Sequence, residues 1–297
     1  MLPPFLKYGD KICIISPSGN INPEFIDGAT QVLNTWGLQV CEGEFARTEY
    51  GRFAGTKEQR ISDLQAAFDD SEIKAVLCSR GGYGLAQIVD KLDFTKFIES
   101  PKWLIGFSDI TILHNAISNL GIGSIHGIMA KHLTELPADC EQVEKLKSIL
   151  FGRLPEYKIP DHPQNRVGKA AGKLIGGNLS VLAGMIGTRF DLPYNNNILF
   201  IEDIDEKPYH IDRMMNNLKL SGALANISGL IIGQFSDCEE DPQMMQTITE
   251  IIMDAVQDYK YPVCFGFPAG HVDYNLPLIL GENVNLRVTS TKSFIEY

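Results

Sequence analysis

Apolar and polar positions in the first 150 residues alternate between short apolar runs and longer segments with helical periodicity. Four runs rich in β-branched residues have the length of strands: Lys11 to Ser16, Leu38 to Gly43, Lys74 to Ser79 and Lys102 to Phe107. Because each run is followed by a segment of helical period, the pattern indicates a parallel sheet with helices on its faces. The sequence therefore predicts an N-terminal, Rossmann-like α/β domain over residues 1–150.

One helix of this domain has a readable start. Thr56, with Gln59 three positions later, forms a capping-box pattern. The apolar residues that follow fall on one helical face: Ile61, Leu64, Ala67 and Phe68. We therefore expect an amphipathic helix directly after Thr56.

The pattern changes in the second half of the chain. Residues 151–173 are rich in Pro, Gly and polar residues without sustained periodicity, which predicts a linker between domains. Beyond it, the pattern predicts a helix from Asn178, a strand from Ile198 to Glu202 and further alternating elements, ending in short strands with Gly and Pro turns. Residues 174–297 are thus expected to form a smaller, mixed α/β C-terminal domain.

Composition narrows the choice of partners. The chain has 297 residues, 26 of them basic and 37 acidic, for a net charge of −11. That sign disfavours a nucleic-acid backbone or an anionic membrane as partner. The six cysteines are scattered without zinc-ligand spacing, so we expect free thiols and no metal. Neither a secretory signal nor a membrane-spanning run is recognisable, which favours the cytoplasm.

Ser108 is the first candidate for chemistry. An apolar strand is predicted to end at Phe107 and a helix to begin at Asp109, so Ser108 falls at a strand-to-helix turn. Such a turn exposes a hydroxyl near a helix N-terminus, which suits a nucleophile. The sequence departs from the GxSxG elbow because Ile110 stands where that motif has glycine. A simple helix N-cap is the alternative interpretation.

A glycine-rich segment, Ser79 to Gly84, follows another predicted strand. Consecutive glycines let the backbone approach a ligand and direct N–H groups at an anion or oxyanion. A dinucleotide fingerprint is disfavoured because Gln87 occupies the third glycine position and the strand is not the first of its domain. A tight turn with no ligand is the remaining alternative.

Acidic and histidine candidates lie in the C-terminal half. Glu202 and Asp203 end the predicted strand from Ile198, where a carboxylate can orient a histidine, although a solvated acidic loop is equally compatible. His271 lies in a Gly- and Pro-rich loop between apolar strands, a position suited to a general base. His126, at another strand end, is its main competitor. Ser108, Glu202 and His271 follow the nucleophile, acid, base order of Ser…Asp/Glu…His hydrolases, which is compatible with a triad.

Motifs along nearly the whole chain resemble the LD-carboxypeptidase family of serine peptidases, which includes muramoyl-tetrapeptide carboxypeptidases and microcin C immunity peptidases. The matching segments are FAGTKEQRISDLQAAF, SRGGYG, IGFSDIT, the HG pair at His126, GGNLSVL, FIEDIDEKPYHIDRM and GFPAGH followed by LPLILG.

The resemblance implies a serine carboxypeptidase without metal or cofactor. Ser108 would be the nucleophile, His271 the base and Glu202 the residue that orients it. The oxyanion hole would be the backbone N–H groups of Asp109 and Gly82. Arg80, with Gly81 beside it in the substrate site, is our hypothesis for the contact with a terminal carboxylate.

The resemblance also implies a substrate. The family cleaves the bond between an L-centre, diaminopimelate or lysine, and the terminal D-Ala of murein tetrapeptides during cell-wall recycling. It implies a cytoplasmic homodimer that binds small peptides. The alternative within the family is cleavage of a peptidyl or aminoacyl nucleotide amide. Outside it, a non-catalytic small-molecule binding protein is the main rival and an oxidoreductase the weaker one.

Overall fold

The computed structural model describes all 297 residues and contains two compact units. Unit 1 comprises Met1–Leu154 and Leu276–Ile279, and unit 2 comprises Pro155–Asn275 and Leu280–Tyr297. A short C-terminal segment therefore belongs with unit 1. The sequence predicted that the chain passes from the first domain to the second only once, after residue 150. In the structure it returns to unit 1 at Leu276 and leaves it again after Ile279.

Unit 1 is built on a six-stranded sheet whose strand order is β11-β5-β4-β3-β1-β2. Strands β1 to β5 pair in parallel, which confirms the predicted parallel-sheet α/β class. The strands are β1 Lys11–Ile15, β2 Gln39–Glu42, β3 Ile73–Cys78, β4 Trp103–Gly106, β5 Ser124–His126 and β11 Leu278–Leu280.

Six helices connect the strands of unit 1. They are α1 Pro23–Thr35, α2 Lys57–Asp69, α3 Thr95–Glu99, α4 Thr111–Asn119, α5 Ala130–Glu135 and α6 Glu141–Leu150. The predicted capping box of α2 is confirmed, since Thr56 and Gln59 each bond the backbone of the other. Leu64 and Phe68 of this helix are fully buried, as the apolar face predicted.

The strand order places the loops after β1 and β3 side by side. From β1 the chain first runs outward to β2 and then returns to the other side of β1 at β3. At such a reversal the two loops diverge at the carboxyl edge and leave a crevice, where open α/β sheets bind ligands. In unit 1 these loops are residues 16–20 and 79–84.

Unit 2 contains a seven-stranded sheet in the order β10-β9-β8-β7-β12-β13-β6. Strands β7 to β10 pair in parallel and the remaining pairs are antiparallel, so the predicted mixed α/β character is confirmed. The strands are β6 Glu156–Pro160, β7 Gly168–Asn178, β8 Ile198–Ile204, β9 Gly229–Ser236, β10 Val263–Cys264, β12 Asn283–Val288 and β13 Lys292–Glu296.

Helices α7 Leu179–Met185, α8 Pro208–Leu220, α9 Ala223–Asn226 and α10 Ile248–Ala255 complete unit 2. Their apolar faces pack on the parallel strands in one core that includes Leu182, Ile211, Met215 and Ile252. Asn178 caps α7 through its side chain, at the position where the sequence predicted a helix start.

Residues 151–173 differ from the predicted linker because they contain β6 and the first half of β7. Strand β6 alternates exposed and buried residues and pairs antiparallel with β13. Its partner lies at the end of the chain, and the alternating run is only five residues long, which is why the surrounding Pro and Gly residues suggested a linker. No helix of the structure is long and apolar enough to span a membrane.

His114 is a buried polar residue that ties strands β4 and β5 together. Its Nε2–H donates to the Gly106 carbonyl at 2.9 Å, and its Nδ1 accepts from Ser124 Oγ at 2.8 Å. This pattern needs the neutral imidazole. Burial lowers the pKa of His114 from 6.5 to about 4.

We expect His114 to weaken the fold in acid. The unfolded chain takes up a proton at pH values where folded His114 does not, so the stability that this residue contributes is present above pH 6.5 and lost as the pH falls through about 4. Between about pH 7 and about pH 5 the loss amounts to about 2 kcal/mol. Urea unfolding of wild type and His114→Gln at both pH values measures it. The fall should be smaller in His114→Gln than in wild type; an equal fall in both proteins would contradict the assignment.

Candidate active site

Ser108 lies directly beyond the carboxyl end of β4. Its φ is +66°, a left-handed conformation that L-residues other than Asn and Asp rarely adopt. Residues Ser108–Ile110 form a 3₁₀ turn, and α4 begins only at Thr111 with Ile110 as its N-cap residue. The alternative that Ser108 is merely the helix cap is therefore wrong. The strained turn is the geometry of a nucleophile elbow.

The glycine-rich loop packs against this turn. A Cβ placed on Gly81 would lie 2.8 Å from the Cβ of Ser108 and 3.1 Å from its Oγ. Only glycine lets the loop come this close to the hydroxyl. Gly82 is exposed, with a φ of +106°, and its N–H donates to no backbone carbonyl. The loop thus presents an unused N–H group one residue from the glycine that contacts Ser108.

The side chain of Asp109 was not anticipated as a functional group. It is 4% exposed, and its Oδ2 accepts from Ser18 Oγ at 2.6 Å and from the Leu85 N–H at 2.9 Å. Burial raises the pKa of Asp109, and these two hydrogen bonds oppose the rise. One carboxylate therefore fixes the loops after β1 and β3 to the turn that carries Ser108.

Arg60 supports the same loops from helix α2. Its guanidinium is buried and donates to the Pro17 and Gly84 carbonyls at 3.1 and 3.0 Å. Burial lowers the pKa of Arg60, and the negative charge of Asp109 counteracts this. The helical periodicity did not distinguish Arg60 from an ordinary surface arginine in an amphipathic helix. The only available signal was its place next to the predicted inward face.

Glu202 and His271 meet within unit 2. Glu202 lies two residues before the end of β8 with no exposed side-chain area, and its Oε2 is 2.8 Å from His271 Nδ1. Because a carboxylate only accepts hydrogen bonds, His271 donates from Nδ1, which leaves the lone pair on Nε2. The His271 side chain remains 17% exposed. The structure thus brings together the two residues for which the sequence predicted the roles of acid and base.

Two glycines make room for the buried carboxylate. A Cβ on Gly270 would lie 2.9 Å from Glu202 Oε2, and one on Gly233 would lie 3.1 Å from the Glu202 Cβ. The His271 loop is held to β9 by Ser236 Oγ, which donates to the His271 carbonyl at 2.8 Å. Two hydrogen bonds therefore orient the imidazole: one to the backbone carbonyl of His271 and one from its ring to Glu202.

The acidic run at the end of β8 divides into a buried part and an exposed part. Glu202 and Asp203 are buried, so the alternative of a wholly solvated loop is wrong, whereas Asp205 is exposed. Asp203 accepts from Asn178 Nδ2 and the Ser180 N–H, both at 2.8 Å, and so holds the start of α7. Burial raises the pKa of Asp203 to about 6. Asp203 is a structural carboxylate beside the one that contacts His271.

His126, the competing base, is fully buried at the end of β5 and packs against the ring of Phe107 at 5.7 Å. No group of three His, Cys, Asp or Glu side chains is arranged to hold a metal ion.

Unit 1 brings together the predicted residues Ser108, Gly81, Gly82 and Asp109. Unit 2 brings together Glu202 and His271.

The chain matches two family models, one in each half of its length. Residues 12–127 match the LD-carboxypeptidase N-terminal domain, and residues 171–286 match the LD-carboxypeptidase C-terminal domain. Ser108 falls within the first match, and Glu202 and His271 fall within the second. Together the two models span most of the chain.

Relatives with names match this chain over most of its length. A protein of Bacillus subtilis named "Probable murein peptide carboxypeptidase" is 34% identical, over 99% of this chain and 94% of the relative. The "Murein tetrapeptide carboxypeptidase" of Pseudomonas aeruginosa is 33% identical, over 88% of each chain. The crystal structure of muramoyltetrapeptide carboxypeptidase from Oxalobacter formigenes matches with a TM-score of 0.87 and 28% identity, covering 96% of this chain and 97% of that one.

Proposed function

This chain belongs to the LD-carboxypeptidase family of serine-type carboxypeptidases, and we propose that it removes the terminal D-Ala from murein tetrapeptides in cell-wall recycling. The bond cleaved is the amide between the L-centre of diaminopimelate or lysine and D-Ala. The observation that carries this proposal is the 2.8 Å contact between Glu202 and His271, in a chain whose Ser108 occupies a strained strand-to-helix turn. The names of the relatives from Bacillus subtilis and Pseudomonas aeruginosa support the substrate class.

The first half of the reaction forms an acyl-enzyme. Ser108 Oγ attacks the scissile carbonyl carbon while His271 Nε2 takes the hydroxyl proton. Glu202, bonded to Nδ1, stabilises the resulting imidazolium. The N–H groups of Gly82 and Asp109 stabilise the oxyanion of the tetrahedral intermediate. The C–N bond then breaks, and His271 returns the proton to the departing amine of D-Ala.

The second half releases the acyl group. Water gives its proton to His271 Nε2 and attacks the ester carbonyl, again with the oxyanion at Gly82 and Asp109. When the intermediate collapses, the proton passes to Ser108 Oγ and the hydroxyl is restored. The products are D-Ala and a tripeptide that ends in a free carboxylate. Every proton is carried by side chains of this protein, without a cofactor or metal.

We also propose that the protein works in the cytoplasm as a homodimer. The six cysteines are all free thiols, which suits a reducing compartment. The recycled peptides that the family processes are small solutes, and the net charge of −11 gives no electrostatic affinity for an anionic surface. The homodimer follows from the family resemblance, and sedimentation of the purified chain tests it.

We expect wild-type protein to release D-Ala from L-Ala-γ-D-Glu-meso-diaminopimelate-D-Ala. The test is mass-spectrometric detection of D-Ala, with fluorophosphonate labelling of Ser108 measured in parallel. Labelling without release would redirect the assay to aminoacyl-nucleotide amides of the microcin C type. Absence of both release and labelling would favour a non-catalytic binding protein and contradict the proposal.

A further inference from the structure

A cavity of about 410 Å³ opens in unit 1 beside the glycine-rich loop. It lies between the loops that follow β1 and β3, at the reversal of strand order where α/β sheets bind ligands. Its lining residues are Gly19, Asn20, Arg52, Arg80, Gly82 and Tyr83. The cavity therefore shares Gly82 with the proposed oxyanion hole.

Two arginine side chains line this cavity without a carboxylate partner. Neither Arg52 nor Arg80 takes part in any ion pair of the protein, although acidic residues outnumber basic ones by 37 to 26. By contrast, Arg47 on the same unit contacts Asp27 and Glu42. Two uncompensated guanidinium groups at one concave site create a local positive potential in an acidic protein.

Hydrogen bonds connect the loops around the cavity and so fix the backbone positions of the two arginines. Arg80 Nη1 donates to the Asn20 carbonyl at 3.1 Å, and the Asn20 N–H donates to the Arg52 carbonyl at 3.1 Å. The Gly19 N–H donates to the Gly81 carbonyl at 3.0 Å. Arg80 thus comes from the loop that holds Gly82, and Arg52 comes from a neighbouring loop that is hydrogen-bonded to Asn20. A guanidinium presents its donors in a fork that matches a carboxylate.

A carboxypeptidase must recognise a carboxylate one residue away from the bond that it cleaves. The scissile carbonyl and the terminal carboxylate are separated by a single residue, a span of about 4 Å. The carboxylate site must therefore adjoin the oxyanion hole, as this cavity does through Gly82.

We propose that Arg52 and Arg80 together bind the terminal carboxylate of the peptide and thereby restrict the enzyme to the last residue. This inference rests on the proposed function and adds Arg52, which joins Arg80 in a two-arginine site. The neutral amide of the same peptide lacks the charge that both side chains recognise. Discrimination between free acid and amide is therefore the property that the two arginines supply.

The test separates binding from hydrolysis. Calorimetry on Ser108→Ala protein gives the affinity for the tetrapeptide ending in D-Ala and for the same peptide ending in D-Ala-amide. We expect the free acid to bind more tightly, and Arg52→Met or Arg80→Met in that background to weaken its binding about 10- to 100-fold while amide binding changes little. Arg52→Lys should restore part of the loss, because the charge returns without the fork. Arg153→Met, at an exposed site away from the cavity, is the matched control and should change neither affinity.

Each outcome decides one of the two proposals. If wild type releases D-Ala but the arginine variants keep the preference for the free acid, the carboxylate site is wrong and the carboxypeptidase stands. If wild type releases no D-Ala but the preference exists and is lost in both variants, the site stands and the proposed reaction fails. The last comparison uses a peptide with lysine in place of diaminopimelate, which lacks the side-chain carboxylate. A loss confined to the diaminopimelate peptide would assign the arginines to the side-chain carboxylate and overturn the proposal.

Discussion

Ser108→Ala should lower kcat for D-Ala release by about 10⁴- to 10⁶-fold, because it removes the nucleophile itself. The residual rate would come from oxyanion stabilisation and substrate binding, which the alanine variant retains. Folding should hardly change, since alanine keeps the Cβ and the hydroxyl makes no hydrogen bond on which the core depends. Single-turnover kinetics and urea unfolding measure the two effects on the same preparation.

Ser108→Gly is the informative companion variant. It removes the same hydroxyl, so kcat should fall as far as in Ser108→Ala. Glycine also adopts the +66° φ of this position without strain, so the free energy of unfolding should rise by about 1 kcal/mol. If either variant retains more than a tenth of the wild-type kcat, Ser108 is not the nucleophile. An unchanged stability in Ser108→Gly would show that the turn is not strained in solution.

The elements that the sequence predicted well are those specified by neighbouring residues. Short apolar runs marked the parallel strands, a helical period marked α2, and the capping box fixed where α2 begins. The turn at Ser108 was predicted because an apolar strand stops two residues before a helical pattern. The left-handed backbone conformation of Ser108 was not predicted, because the position is not occupied by glycine or asparagine, the residues that usually adopt it. That strain is imposed by the surrounding packing and not by local preference.

The parts that escaped prediction depend on distant partners. Strand β6 pairs with β13, and β11 joins the sheet of unit 1 from near the end of the chain. Pairings of this kind are set by the tertiary fold, so a Pro- and Gly-rich segment looks like a linker until its partner is known. The same holds for Asp109 and Arg60, whose burial no local pattern could reveal. A sequence read without its fold assigns such charged residues to the surface.

The acidic run from Glu202 shows where local reasoning left two outcomes open. Four carboxylates within five residues are compatible with a solvated loop or with a functional strand end. The structure buries the first two and leaves Asp205 in solvent, because β8 continues inside the sheet through Ile204. Glycines at positions 233 and 270 leave the space that Glu202 occupies. Burial of a carboxylate at that point makes sense only with a partner, and His271 provides it.

His271→Ala should lower kcat by about 10⁶-fold and Glu202→Gln by a smaller factor of about 10⁴. Without His271 no group accepts the Ser108 proton, so the nucleophile is lost. In Glu202→Gln the imidazole remains, but the amide can donate to Nδ1. The proton then moves to Nε2, the atom that must be free to act as a base, and the imidazolium loses its negative partner. Rates of D-Ala release and of fluorophosphonate labelling should fall in the same order.

Asp203→Asn is the matched control for Glu202→Gln, because it neutralises the adjacent buried carboxylate on the same strand. Asp203 contacts the start of α7 and not His271, so its loss should lower the free energy of unfolding by about 1–3 kcal/mol while kcat stays within about tenfold of wild type. Equal kcat in Glu202→Gln and wild type would remove Glu202 from the mechanism. Equal losses of kcat in both variants would mean that removal of either buried carboxylate on β8 impairs the enzyme, and that the 2.8 Å contact with His271 has no special role. A loss confined to Glu202→Gln would leave orientation of the imidazole as the explanation, since the two substitutions remove the same charge from neighbouring positions.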